Sequence, residues 1–325
     1  MPITSVSSDA NALTLTVVAD YPVPVERLWD AYADPRQLEK FWGPEGWPAT
    51  FTRHDMAIGG HSHYYMTGPD GTKSRGWFHF LAVEPGRRIE VEDGFSHEDG
   101  SRNDAMPSMR MVFTFERTQQ GSRCTSVTYF PSVAAMEQLA GMGMMEGMRS
   151  AMSQIDTVLA DLASFAASRA TEAQLLSDTQ VRISRIIRGT VKDVWRAHHD
   201  AKLMKRWLLG PDGWTMPVCE VASKVGDGYR YEWEAVDGSQ RFGFEGELLE
   251  SDAPHRAMTT ERMIGMDGPG TTNLMTLTPV EGGTLLTIIV TYPNREVRDM
   301  VLGTGMTGGM ELSYARLERE VLEAA

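Results

Sequence analysis

Apolar and polar residues alternate along Leu13-Thr14-Leu15-Thr16-Val17-Val18, and the β-branched character of the run predicts a strand. Val25, Leu28, Trp29 and Tyr32 then recur at helical spacing, with Asp34-Pro35 closing the helix. Leu38, Phe41 and Trp42 mark a second short helix that ends at Gly43-Pro44-Glu45-Gly46-Trp47. A series of strand patterns follows over 62–66, 75–83, 88–92, 109–116 and 122–129, with a turn at Pro69-Asp70-Gly71. Most connections are too short for parallel crossovers, so an antiparallel meander is predicted. Met136, Ala140, Gly143, Gly147, Ala151, Ile155, Val158 and Leu162 then trace one long amphipathic helix. Residues 1–11 read as a polar leader.

The pattern occurs twice. Val191, Val194, Trp195 and Ala197, then Asp200, Met204 and Trp207, repeat the first helices at an offset of 166, and Gly210-Pro211-Asp212-Gly213-Trp214 follows at 167. Gly226, Tyr231 and Asp237-Gly238 answer Gly59, Tyr64 and Asp70-Gly71, and Val290-Thr291-Tyr292 reads as the counterpart of Val127-Thr128-Tyr129. Strands are predicted over 229–233, 241–249, 257–262, 273–278 and 284–292, and a last helix runs through Val301, Gly305, Gly309 and Leu312. Self-similarity across whole halves is an architectural signal. The expectation is an α+β chain of two helix-grip domains, 12–168 and 179–325, each a curved antiparallel sheet with two short helices and a long C-terminal helix over a cavity.

Both final helices carry an odd run, Gly141-Met142-Gly143-Met144-Met145-Glu146-Gly147-Met148 and Gly303-Thr304-Gly305-Met306-Thr307-Gly308-Gly309-Met310. Glycine inside a helix costs roughly 1 kcal/mol relative to alanine. The run therefore implies a helix that stands off from, or lies close over, something.

Composition narrows the function. A net charge of −13 disfavours nucleic-acid partners, and no run reaches the roughly 18–20 apolar residues of a membrane helix. No signal-peptide pattern is seen, and the expected place is the cytoplasm. Cys124 and Cys219 fall one in each half and read as buried free thiols. His61 and His63 share a strand face, but no carboxylate or cysteine stands at a supporting spacing, so neither a metal nor a cofactor is expected. For acid–base work the isolated candidates are His54, His79, Arg241 and Glu247.

The second half, with Trp195, Trp207, Gly210 to Trp214, Tyr292-Pro293 and above all Gly305-Met306-Thr307-Gly308-Gly309-Met310-Glu311-Leu312-Ser313-Tyr314-Ala315-Arg316-Leu317, resembles the bacterial proteins grouped with the activator of heat-shock-chaperone ATPase. These fall in the wider superfamily of START lipid-transfer domains, birch-pollen-allergen-like proteins and polyketide cyclases. The likeness spans 179–325 and, more weakly, 12–168. It implies a helix-grip fold and a small hydrophobic ligand, aromatic or polyketide-like, with roles in natural-product biosynthesis or self-resistance, including to enediyne-type products. Two other roles occur in the superfamily: a cofactor-independent cyclase, dehydratase or lyase, and an ATPase-activating co-chaperone.

The residues expected to line the cavity combine aromatic groups with an adaptable wall of methionine and glycine. In the first half they are Trp42, Trp47, Tyr64, Met66, Trp77, Gly143, Met144, Gly147 and Met148. In the second they are Trp207, Trp214, Tyr229, Tyr231, Trp233, Phe244, Gly305, Met306, Gly309 and Met310.

Overall fold

A computed structural model describes residues 3–161 and 169–322. The chain forms two compact units, Met1–Ala163 and Ser164–Ala325. In the first, strands β1 (Ile3–Asp9) and β2 (Thr14–Tyr21) precede helices α1 (Val25–Ala33) and α2 (Pro35–Leu38). Strands β3 (Ala49–His54), β4 (His61–Thr67), β5 (Lys73–Glu84), β6 (Arg88–Phe95), β7 (Met109–Thr118) and β8 (Gly121–Tyr129) follow, then α3 (Val133–Gly141) and α4 (Met144–Ala160). The sheet is antiparallel throughout, in the order β1-β2-β8-β7-β6-β5-β4-β3.

The second unit repeats this order. It comprises β9 (Glu172–Leu175), β10 (Gln180–Ile187), α5 (Val191–His199), α6 (Ala201–Trp207), β11 (Trp214–Glu220), β12 (Gly228–Ala235), β13 (Arg241–Asp252), β14 (Arg256–Met263), β15 (Thr271–Val280) and β16 (Gly283–Thr291). Helices α7 (Arg295–Gly303) and α8 (Met306–Leu317) and a π-helical turn, Glu318–Leu322, complete it. Its sheet runs β11-β12-β13-β14-β15-β16-β10-β9. Each half is thus a helix-grip α+β unit.

Local chemistry explains the repeated helical corner. Asp34 ends α1 and caps α2, its Oδ1 accepting from the Arg36 amide at 2.9 Å, and Asp200 does the same for α6 through the Lys202 amide at 2.8 Å. Ser132 and Asn294 cap α3 and α7 at matching points. Trp207 is buried against Tyr314, with ring centroids 5.6 Å apart, and its indole N–H donates to the Ala197 carbonyl. With Ile187, Val194, Leu277, Leu286, Leu317 and Val321 it forms the core where the second grip closes.

Three expectations change. The supposed leader is a strand: Ile3–Asp9 pairs antiparallel with β2, and Glu172–Leu175 does the same for β10, so among the described residues each sheet has eight strands. Alternation was hidden in β1 because its residues are mostly polar and exposed, as an edge allows. The final helix of each half is two helices, broken at Gly143 and Gly305, whose φ of +84° and +75° is left-handed. These two glycines serve the backbone at the break. Thirdly, sheet register pairs Leu15 with Thr128 and Val181 with Val290, so at the 166 offset Thr128 answers Val290 and Phe130 answers Tyr292. The sequence match of Tyr129 with Tyr292 is one residue out of phase, which on a strand means the opposite face.

With registers aligned, the length differences between halves fall in connections. The β6–β7 connection, 96–108, is longer than the β14–β15 connection, 264–270. The counterpart offset changes there from 168 (Asp93 with Glu261) to 162 (Met109 with Thr271), and Gly143 with Gly305 keeps 162.

Candidate functional site

The inner face of the second sheet, the one that carries Tyr229, Tyr231 and Trp233, is floored by rings. Tyr231 lies opposite Phe244 and Trp233 opposite Phe242 across β12 and β13, while Trp214 joins from β11. Trp233 and Phe242 stack with centroids 5.2 Å apart, Trp214 meets Phe242 edge-on at 5.2 Å, and Tyr231 lies 4.9 Å from Tyr229. The Trp233 indole donates to the Leu208 carbonyl at 2.6 Å, tying this strip to the end of α6. Tyr229 is buried, whereas Trp214, Tyr231, Trp233, Phe242 and Phe244 are each half-buried.

Beside this strip Glu261 stands half-buried on β14. Tyr229 lies over Gly246, where an added Cβ would come within 2.8 Å of its ring, and its hydroxyl donates to the Thr260 carbonyl at 2.7 Å and to Glu261 Oε2 at 3.4 Å. The Asn273 amide donates to the same carboxylate. Burial raises the Glu261 pKa despite these two donors. Its charge in turn opposes ionisation of Tyr229, Tyr231 and Tyr292.

Sheet register sets Asp93 of β6 in the matching place in the first half. Here Tyr64 lies over Gly76, and its hydroxyl donates to Asp93 Oδ1 at 3.2 Å while accepting from the Trp42 indole. Burial pushes the Asp93 carboxyl up to about 7. Around the pair the interior is filled: Trp42 meets Phe78 at 4.9 Å and Tyr64 at 6.1 Å, Phe51 stacks on Tyr64 at 5.1 Å, and Phe113 closes on Trp42 and Tyr32. The counterparts of Trp42, Phe51 and Phe113 are Leu208, Cys219 and Met275, which are smaller. In the second half the aromatic mass has moved to Trp233, Phe242 and Phe244, where the first has Met66, Ser74 and Gly76.

The remaining expected lining residues divide. Met306 and Met310 pack on Val181, Ile183, Val290 and Tyr292 and so join the helix to the sheet. Met66 is half-buried on the inner face, and Trp47 lies over Gly68 at the strand end. Met144, Gly147 and Met148 are half-buried on α4, and Gly309 is half-buried on α8. A Cβ added at Gly147 or Gly309 would meet no atom within 4 Å, so these glycines leave space and do not serve a close approach. Trp77 is not with the others. It stands on the opposite face, its ring over Gly94 and under the Arg102 guanidinium, 3.9 Å from the centroid. Trp207 belongs to the sealed core already described.

Acid–base candidates read from sequence lie apart from this strip. His54 is buried with Nδ1 2.8 Å from Ser62 Oγ, His79 stacks on His61 at 4.8 Å on the face shared with Trp77, Glu247 is exposed, and Arg241 pairs with Glu232. Asp93, Glu261 and Asn273 were missed. A signal existed, since Ile89, Val91 and Asp93, like Ala257, Thr259 and Glu261, share one parity on their strands. A depression of about 790 Å³ opens at the other end of the second sheet, rimmed by Arg188 to Lys192, Pro254, His255 and Gly282-Gly283. No helix among the described residues is long and apolar enough to cross a membrane.

The family model described as activator of Hsp90 ATPase homolog 1-like protein matches residues 22–160 and again 188–321. The solution structure of an Arthrobacter aurescens protein is 44% identical, covering 49% of this chain and 93% of its own, with a TM-score of 0.47. A crystal structure from Mycobacterium smegmatis gives 44% identity, 49% and 98% coverage and the same TM-score of 0.47. A Rhodobacter sphaeroides protein is 30% identical over 46% of this chain and 95% of its own, with a TM-score of 0.43. No curated protein matches.

Proposed function

The chain belongs to the family of activator of Hsp90 ATPase homolog 1-like proteins, and from that premise we propose that its second half binds a small, flat, mainly apolar molecule on the inner face of the sheet. The fold is one that commonly holds hydrophobic ligands. One observation carries the assignment to this half: Trp42, Phe51 and Phe113, which fill the first interior, give way to Leu208, Cys219 and Met275, while Tyr231, Trp233, Phe242 and Phe244 are left half-buried. Rings only partly covered by their own chain are surface that a planar ligand covers favourably, at roughly 25 cal/mol per Å² of apolar area removed from water.

On this reading the two domains, expected over 12–168 and 179–325 and each extended at its start by an edge strand, β1 or β9, have different tasks. The first is a filled companion. The second takes an aromatic or polyketide-like molecule, with Met306 and Met310 as the adjustable side of the site and Gly309 leaving space beside them.

Titration of the full chain with 2-naphthalenemethanol, followed by tryptophan fluorescence, tests the reading. Saturable quenching is expected through Trp233 and Trp214, and Phe244→Ala should weaken it about tenfold. Absence of saturable quenching, or equal affinity in Phe244→Ala, overturns the assignment.

A further inference from the structure

We propose that the molecule held by the second half carries a protonated amine on its aromatic frame, with Glu261 as the anchor. This rests on the binding reading above and adds the chemical class of the ligand.

Carboxylates of the second half differ in the company they keep. Glu232 faces Arg230 and Arg241, Glu245 faces Arg230 and Arg262, and Glu318 faces Arg185. Glu261 is different. Its hydrogen bonds come from neutral groups, Tyr229 and Asn273, and among the described residues no lysine, arginine or histidine is paired with it. A carboxylate withdrawn from water is costly unless it is paired, and neutral donors recover only part of that cost. A cation arriving with the ligand supplies the missing charge.

The walls suit the same group. Tyr231 and Phe244 are half-buried rings of the strip, and an ammonium over the face of such a ring is attracted by its quadrupole. An anionic ligand is less well served among the described residues: Arg230, Arg241 and Arg262 alternate onto the other face of β12 to β14 and are engaged there by Glu232 and Glu245, while Arg185, on the inner face of β10, is held by Glu311 and Glu318. The net charge of −13 further favours approach of cations over anions. Finally, Asp93 occupies the corresponding place in the first half but lies beneath Trp42, Phe51 and Phe78, so the same carboxylate position is closed there and reachable in the second.

Three probes with one ring system separate the terms: 2-naphthylmethylamine, 2-naphthalenemethanol and 2-naphthoate, titrated into the full chain at a pH where the amine is protonated. The amine should bind about tenfold more tightly than the alcohol, and the carboxylate more weakly than either. Glu261→Gln, which keeps the shape of the side chain, should abolish the preference, bringing the ratio of amine to alcohol affinity to about one. Asp93→Asn should leave the amine preference intact. Equal binding of amine and alcohol by the unaltered chain, or a preference that survives Glu261→Gln, overturns the amine inference while the aromatic site stands. Failure of all three probes to bind overturns both. If Glu261→Gln lowers the thermal midpoint, the amine-to-alcohol ratio of the unaltered chain decides alone.

Discussion

At the centre of the first half Tyr64 lies across Gly76 and reaches Asp93 beneath Trp42, Phe51 and Phe78, and in the second Tyr229 lies across Gly246 and reaches Glu261 beside half-buried Tyr231 and Phe244. The two arrangements share a device but not a tyrosine. Tyr64 corresponds to Tyr231, and the residue corresponding to Tyr229 is Ser62. In each case a glycine directly across the ladder makes room for the ring, and the phenol meets a carboxylate on the next strand. What differs is the surrounding volume. One interior is closed by its own side chains, and the other keeps its rings at the surface of the interior. On the binding reading proposed above, function is separated from stability by where aromatic mass is placed along the same strands.

The largest expected effect tests that separation directly. Phe78→Ala removes a buried ring packed between Trp42, Phe51 and Tyr64, and should cost about 3–5 kcal/mol in denaturant unfolding. Phe244→Ala should cost about 1 kcal/mol, because its ring is already partly in water. Equal costs would mean that the second interior is as closed as the first.

A pH series sharpens the comparison next. Asp93 has its carboxyl raised from 3.8 to about 7, so between those values the folded chain holds a proton that the unfolded chain has released. The stability this group contributes is full below the unfolded value and falls as pH rises through the folded one, by about 2–4 kcal/mol in total. Asp93→Asn should remove that part of the slope. Glu261, being more accessible, should give a shallower trend of the same sign in thermal midpoints.

The smallest effects come from the helix breaks. Gly305→Ala places a side chain at a φ of +75° and should destabilise by about 1–2 kcal/mol, and Gly143→Ala should do likewise. Gly309→Ala, in helix and with open space about it, should stabilise by about 0.5–1 kcal/mol. Opposite signs at positions four apart would confirm that one glycine shapes the chain and the other leaves room.

Much of this was legible from the residue pattern. The duplication and the meanders from β2 to β8 and from β10 to β16 follow from period and spacing, whereas period alone leaves open whether Tyr229, Tyr231 and Trp233 or the residues between them face inward. The break at Gly143 did not, because methionine and alanine on both sides continue a helical stripe and only the backbone angle distinguishes a hinge from a costly interior glycine. Trp77 was misplaced for another reason: between Gly76 and Phe78 its strand is apolar on both faces, so alternation could not say which side it takes. Asp93 and Glu261 were overlooked since a lone acid in a strand reads as solvent-facing until its parity with Val91 or Thr259 is counted.

The placement of length changes has a last consequence. Six residues gained or lost in the connection after β6 leave the period-two phase of every strand undisturbed, as one residue inside a strand would not. Each inward position can therefore mutate as an independent letter, with its address in the sheet preserved. A chain holding two copies of such an alphabet can rewrite one interior toward a new guest while the other remains a folded record of the starting text.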